Sequence, residues 1–131
     1  MAGPGILDSF NALASVGVVR AIRQEYQVYR TASGSFMVFS QSSRSPGSFH
    51  LTIISGSRVE ALRRALPDRG TTVSAVLKDK ALRAALGGAE GVPLRFEVLM
   101  MFYVMTALGQ VEMEKTGRSL FFRPKAGKRA G

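Results

Sequence analysis

The sequence predicts an α+β fold, an antiparallel sheet of about four to five strands backed on one face by helices. Three observations carry this. Short β-branched and aromatic runs separated by turn residues recur around Tyr26, Phe39, Leu51 and Phe121. A stretch with helical spacing and cap signals, Ser57 to Leu108, lies between them. Hydrophobic residues make up 46% of the 131 residues, enough to bury a core and too many for a disordered chain. Residues 7–123 are read as a single domain, with 124–131 as a basic flexible tail.

The elements follow in order. Leu7 to Ala14 reads as a first helix, with Asp8 near its start. Val16 to Gln24 is ambiguous and leans helical from Val18 to Gln24. Glu25 to Thr31 alternates as a strand, Ala32-Ser33-Gly34-Ser35 turns, and Phe36 to Gln41 returns as its hairpin partner. Ser42 to Ser48, with Pro46-Gly47, is a polar loop carrying Arg44, and Phe49 to Ser55 is the next strand.

Ser57 and Glu60 have the spacing of a capping box. The helix they open puts Val59, Leu62 and Leu66 on one face and Arg58, Arg63 and Arg64 toward solvent, and Pro67 ends it. Thr71 or Thr72 caps a further helix that runs to Gly87-Gly88. Pro93 introduces an apolar helix from Leu94 to Leu108, stopped by Gly109. Gln110 to Arg123 is a second hairpin turning at Thr116-Gly117. The two hairpins and the middle strand can join in one sheet.

Composition narrows the function. The chain holds 18 Lys+Arg against 9 Asp+Glu, a net charge of +9, with Arg outnumbering Lys. Such charge binds a phosphate backbone without reading its sequence. The chain has no cysteine and a single histidine, His50, so disulfide frameworks, thiolate metal sites and multi-histidine centres are excluded. Met1-Ala2-Gly3-Pro4-Gly5 does not open like a signal peptide, and Val98 to Leu108 is too short to span a bilayer as a helix. A cytoplasmic location fits. A single Asn and the absence of Cys and Trp point to a heat-adapted source.

Two tempting motifs fail. Ile54-Ser55-Gly56-Ser57 lacks the remaining glycine and lysine of a phosphate-cradling loop. In Glu112-Met113-Glu114-Lys115 the acid-x-Lys pattern of nuclease strands is broken by Met113. No nucleophile–base arrangement is legible and no cofactor is implied, so the expectation is a non-enzymatic binder.

Strand alternation turns the aromatics into a candidate site. In the last hairpin Val111, Met113, Leu120 and Phe122 point to the core, and Glu112, Phe121 and Arg123 to the other side. A Phe beside an Arg suits a platform for stacking unpaired bases. The competing arrangement packs Phe121 under a loop and pairs Arg123 with Glu112. In the middle strand Phe49, Leu51 and Ile53 share one face and His50 and Thr52 the other. In the first hairpin the face of Tyr26, Val28, Arg30, Met37 and Phe39 is taken as open, because Arg30 is cheapest there; a shifted register would substitute Tyr29 and Phe36. The expected nucleic-acid contacts are therefore Tyr26, Arg30, Phe39, Arg44, His50, Arg118, Phe121 and Arg123.

The apolar helix has hydrophobic side chains around most of its circumference, and such a helix must be buried on every side. One domain of this size has little to cover it with. A homo-oligomer, dimer or tetramer, with Met101, Phe102 and Met105 at the contact, is the expectation.

The order of elements, the strand-borne aromatics and the basic charge resemble the ThermoDBP family of archaeal single-stranded DNA-binding proteins, and more closely its shorter ThermoDBP-related branch. The likeness covers roughly Leu7 to Arg123. It implies a helix-backed antiparallel sheet with a cleft for single strands, and self-association. The chain has no long C-terminal heptad helix of the kind founding members use to dimerise. The leading expectation is thus binding of single-stranded DNA with little sequence specificity. RNA is an alternative, since stacking does not distinguish the sugars. A winged-helix duplex binder, with Lys115 and Arg118 at the tip of its wing, is another, and a protein-binding subunit of a larger complex is a third.

Overall fold

A computed structural model describes residues 14–21, 24–41, 47–87, 93–117 and 119–125. The expected helix before Ala14, Arg44, Arg118 and residues 126–131 lie outside the described residues. The α+β class is as expected. Four strands form one antiparallel sheet in sequential order: β1 (Ala14–Arg20), β2 (Glu25–Arg30), β3 (Phe36–Gln41) and β4 (Phe49–Ile54). Four helices follow, α1 (Gly56–Ala65), α2 (Val73–Lys78), α3 (Lys80–Gly87) and α4 (Arg95–Ala107). A separate two-stranded sheet, β5 (Val111–Thr116) with β6 (Ser119–Pro124), closes the fold.

Strand β1 corrects the helical reading of Val18 to Gln24. Val16, Val18 and Val19 are β-branched and Gly17 is a poor helix residue. The segment pairs with β2 through a register shift between Ser15 and Gly17, a bulge that absorbs Val16. The last hairpin does not join this sheet. It pairs instead with a single residue of the α1–α2 connection: Thr71 N–H donates to the Phe122 carbonyl at 2.8 Å, and Phe122 N–H to the Thr71 carbonyl at 2.9 Å.

The caps differ in detail from expectation. Ser55, not Ser57, caps α1, its hydroxyl accepting from Arg58 N–H at 3.4 Å. Glu60 turns instead to Arg63 and Arg64, whose Nε atoms reach it at 2.8 and 3.0 Å. Thr72 caps α2, accepting from Ala75 N–H at 3.1 Å. The single helix expected up to Gly87 is broken at Asp79, whose carboxylate accepts from Leu82 N–H at 3.0 Å and so starts α3. At α4 the Glu97 carboxylate accepts from Leu94 N–H at 2.8 Å, and Gly109, at φ +77°, ends the helix where the sequence places its stop.

Helix α4 is the centre of the core. It touches all four strands of the large sheet, α1, α2 and β5, and Val98 and Met100 to Met105 are buried. Met101, Phe102 and Met105 are completely buried within the chain, which corrects their assignment to a subunit contact. The chain covers the helix because its neighbours come from three sides: the sheet, the α1–α2 pair and the hairpin. Phe102 stacks on Phe122 with centroids 4.3 Å apart, and Tyr103 lies 4.5 Å from Tyr26, so rings tie the hairpin and the sheet to one helix. Arg58, expected in solvent, is buried and reaches Glu97 at 3.5 Å, joining α1 to α4.

Candidate functional site

Register decides which side chains share a face. Tyr26 lies opposite Ser40, Val28 opposite Val38 and Arg30 opposite Phe36. The grouping of Tyr26 with Phe39 is therefore off by one residue across the hairpin. The face bearing Val19, Tyr26, Val28, Phe36, Val38 and Ile54 lies in the core with α4. The opposite, outer face carries Val18, Gln27, Tyr29, Phe39, Phe49, Leu51 and Ile53.

The expected contact residues are thus dispersed. Tyr26 is buried beneath Tyr103. Arg30 sits at the end of β2 with its guanidinium 5.5 Å from the centroid of the Phe36 ring. Phe39 is on the outer face, edge-on to Tyr29 at 5.6 Å. His50 is exposed, opposite Ser40, on the face that Thr52 and Ile54 share. Phe121 is half-buried and packs against the α1–α2 connection: a Cβ on Gly70 would stand 2.5 Å from its ring, and Gly70 holds φ +95°. Arg123 pairs with Glu114 across the hairpin, not with Glu112. Phe121 and Arg123 do not form an open platform.

Between these elements lies a cleft of about 980 Å³. Ala21, Gln24 and Tyr26 bound it from the β1–β2 end, and Thr72, Val73 and Ser74 from the start of α2. Arg95, Phe96, Leu99 and Tyr103 come from α4, and Ser119 and Leu120 from β6. Its volume is at the upper end of ordinary ligand sites. The cleft forms where the sheet, α2, the first turns of α4 and the detached hairpin diverge.

The chemistry of this cleft is aromatic and hydroxylic. Gln24 Nε2 donates to the Tyr26 hydroxyl at 3.0 Å. Arg95 Nη2 donates to Ser74 Oγ at 3.1 Å. Burial pushes the Tyr103 phenol well above its usual range, with Tyr26 adding to the shift, so it stays a neutral hydroxyl. Phe96 is 49% exposed. Its ring offers a flat apolar surface and Arg95 a cation beside it. Among the described residues, no cluster of His, Asp or Glu has the arrangement of a metal site.

Sequence reasoning found Tyr26 but not Arg95, Phe96 or Tyr103. Arg95 and Phe96 open α4 next to Pro93, and an exposed aromatic–basic pair in the first turn of an otherwise buried helix is the signal that was there to be read. Helix α4 is buried from Val98 to Met105 apart from Leu99, which is partly buried, so that stretch presents no free face to a groove. No described helix is long and apolar enough to cross a membrane. No family model, curated protein or solved structure matches the chain.

Proposed function

We propose that the chain is a non-enzymatic binder of single-stranded nucleic acid, DNA in the first instance, and that bases enter the cleft beside α4. The observation that carries this is the aromatic-walled cleft with Arg95 and Phe96 in its lining, on a chain of net charge +9. Unpaired bases supply flat rings for Phe96 and hydrogen-bonding edges for the hydroxyls of Thr72, Ser74 and Ser119. Phosphates supply the charge that Arg95 and the wider basic surface favour. A duplex hides its base faces and gains only the charge term. The resemblance in sequence pattern to single-stranded DNA-binding proteins points the same way.

Anisotropy titrations of labelled single-stranded and duplex oligonucleotides at two salt concentrations test the reading. Single strands should bind more tightly, with affinity falling steeply as salt rises. Phe96→Ala should cost about 1–3 kcal/mol of binding, the worth of one stacked base, while the melting temperature stays close to that of the parent. Equal or tighter duplex binding, or an unaffected Phe96→Ala variant, would sink the proposal.

A further inference from the structure

One stripe of α4 lines the cleft from its mouth to its floor. Phe96, Leu99 and Tyr103 have the i, i+3, i+7 spacing of a single helix face. Phe96 is 49% exposed, Leu99 partly buried and Tyr103 2% exposed. Seven residues of helix rise about 10 Å, so mouth and floor engage different parts of a bound strand. At the floor the Tyr103 ring lies 4.5 Å from that of Tyr26, and both line the cleft. Among the described residues the Tyr103 hydroxyl has no hydrogen-bond partner, yet it is not sealed off from the cleft. A buried polar group without a partner costs free energy, so a group that enters the cleft and accepts a hydrogen bond there gains more than it would in water.

The floor is rich in donors. Burial keeps the Tyr103 phenol protonated. The Tyr26 oxygen already accepts from Gln24 Nε2 at 3.0 Å, which leaves its own O–H to give. Arg95, nearer the mouth, can only donate. No carboxylate is among the described residues of the lining. We propose that the floor of the cleft reads carbonyl oxygens on bases, with Tyr103 as the specificity-determining contact, and so takes thymine or uracil in preference to adenine. Thymine and uracil present carbonyl acceptors on their edges; adenine has no carbonyl and presents an amino donor instead. A site built to hydrogen-bond its ligand rejects an analogue that leaves its buried groups unpaired. Stacking at Phe96 tolerates every base, so the preference arises at the floor and concerns base composition rather than a read sequence. The inference rests on the nucleic-acid reading of the cleft and adds which bases it takes.

Tyr103→Phe keeps the ring beside Tyr26 and removes only the hydroxyl. Anisotropy titrations of oligo-dT and oligo-dA of equal length, on the full chain and on this variant, are the test. The parent should prefer oligo-dT. The variant should lose about tenfold on oligo-dT and less than about twofold on oligo-dA, and melt no lower than the parent. For the parent alone, replacing thymine by difluorotoluene, an isostere that stacks without useful hydrogen bonds, should also weaken binding about tenfold. Equal losses on both oligonucleotides, no loss, or an isostere bound as tightly as thymine overturns the assignment and leaves the nucleic-acid reading standing. A variant that melts several degrees lower shows that the hydroxyl has a partner within the protein and overturns it too. A parent that binds no single strand removes the nucleic-acid reading and this assignment with it.

Discussion

Helix α4 and the outer face of the large sheet have similar apolar composition and opposite fates. Val98 to Met105 are buried save for partly buried Leu99, whereas Phe49, Val18, Leu51 and Ile53 stand in solvent. Hydrophobicity along the sequence therefore does not rank segments by burial. A helix has neighbours on every side when it sits between a sheet, two helices and a hairpin. A four-stranded sheet has two faces, and the described helices cover one. The apolar segment most conspicuous in the sequence is ordinary core, and the exposed apolar side chains are inconspicuous alternate residues of β1 and β4.

The sharpest way to break this comparison is a matched pair of truncations. Phe102→Ala, which removes the ring stacked on Phe122, should cost about 3–5 kcal/mol of stability. Phe49→Ala, at a side chain 66% exposed, should change stability by no more than about 0.5 kcal/mol. Denaturant melts check both, and similar losses in the two variants would erase the distinction.

A smaller effect tests how the hairpin is held against α1 and α2. Gly70 combines a left-handed φ with close approach of the Phe121 ring and the Phe122 carbonyl. Gly70→Ala should destabilise by about 1–3 kcal/mol, and hydrogen exchange at Thr71 and Phe122 should rise before exchange in the large sheet. Uniform acceleration across both sheets would show that the hairpin is not an independent weak point.

The smallest effect is electrostatic. The Arg63 side chain, with Arg64 beside it, lowers the Glu60 carboxyl to about 2 from an ordinary 4.5, against a desolvation that raises it. Since the folded value is depressed, the contribution is complete above 4.5 and disappears as pH falls toward 2. The cluster is exposed, so its worth is no more than about 0.5 kcal/mol. Glu60→Gln should flatten the stability profile by that amount over this acid window and leave it unchanged in slope near neutrality.

Much of the fold was legible because local chemistry specified it. The turn at Ala32 to Ser35, the strands on either side, the core side of the last hairpin and the limits of α4 follow from alternation, Gly109 and Pro93. Strand β1 (Ala14–Arg20) was missed because its β-branched run of Val16, Val18 and Val19 is short and interrupted by Gly17, and pairing with β2 completes it. The candidate site was less legible. Tyr26 and Phe39 are on opposite faces because the hairpin register pairs Tyr26 with Ser40, and Arg95 and Phe96 enter the cleft from a helix that looked wholly apolar.

Residue identities determined the net charge, the exclusion of cysteine chemistry, the α+β class and the alternation along each strand. Tertiary structure decided which face of each strand was covered, that α4 had enough neighbours to be buried, and that Phe121 and Arg123 were taken up by Gly70 and Glu114. The physical reason is range. Backbone preference and periodicity act within a few residues, while burial depends on which distant elements arrive at a surface, and a register shift of one residue exchanges inside for outside.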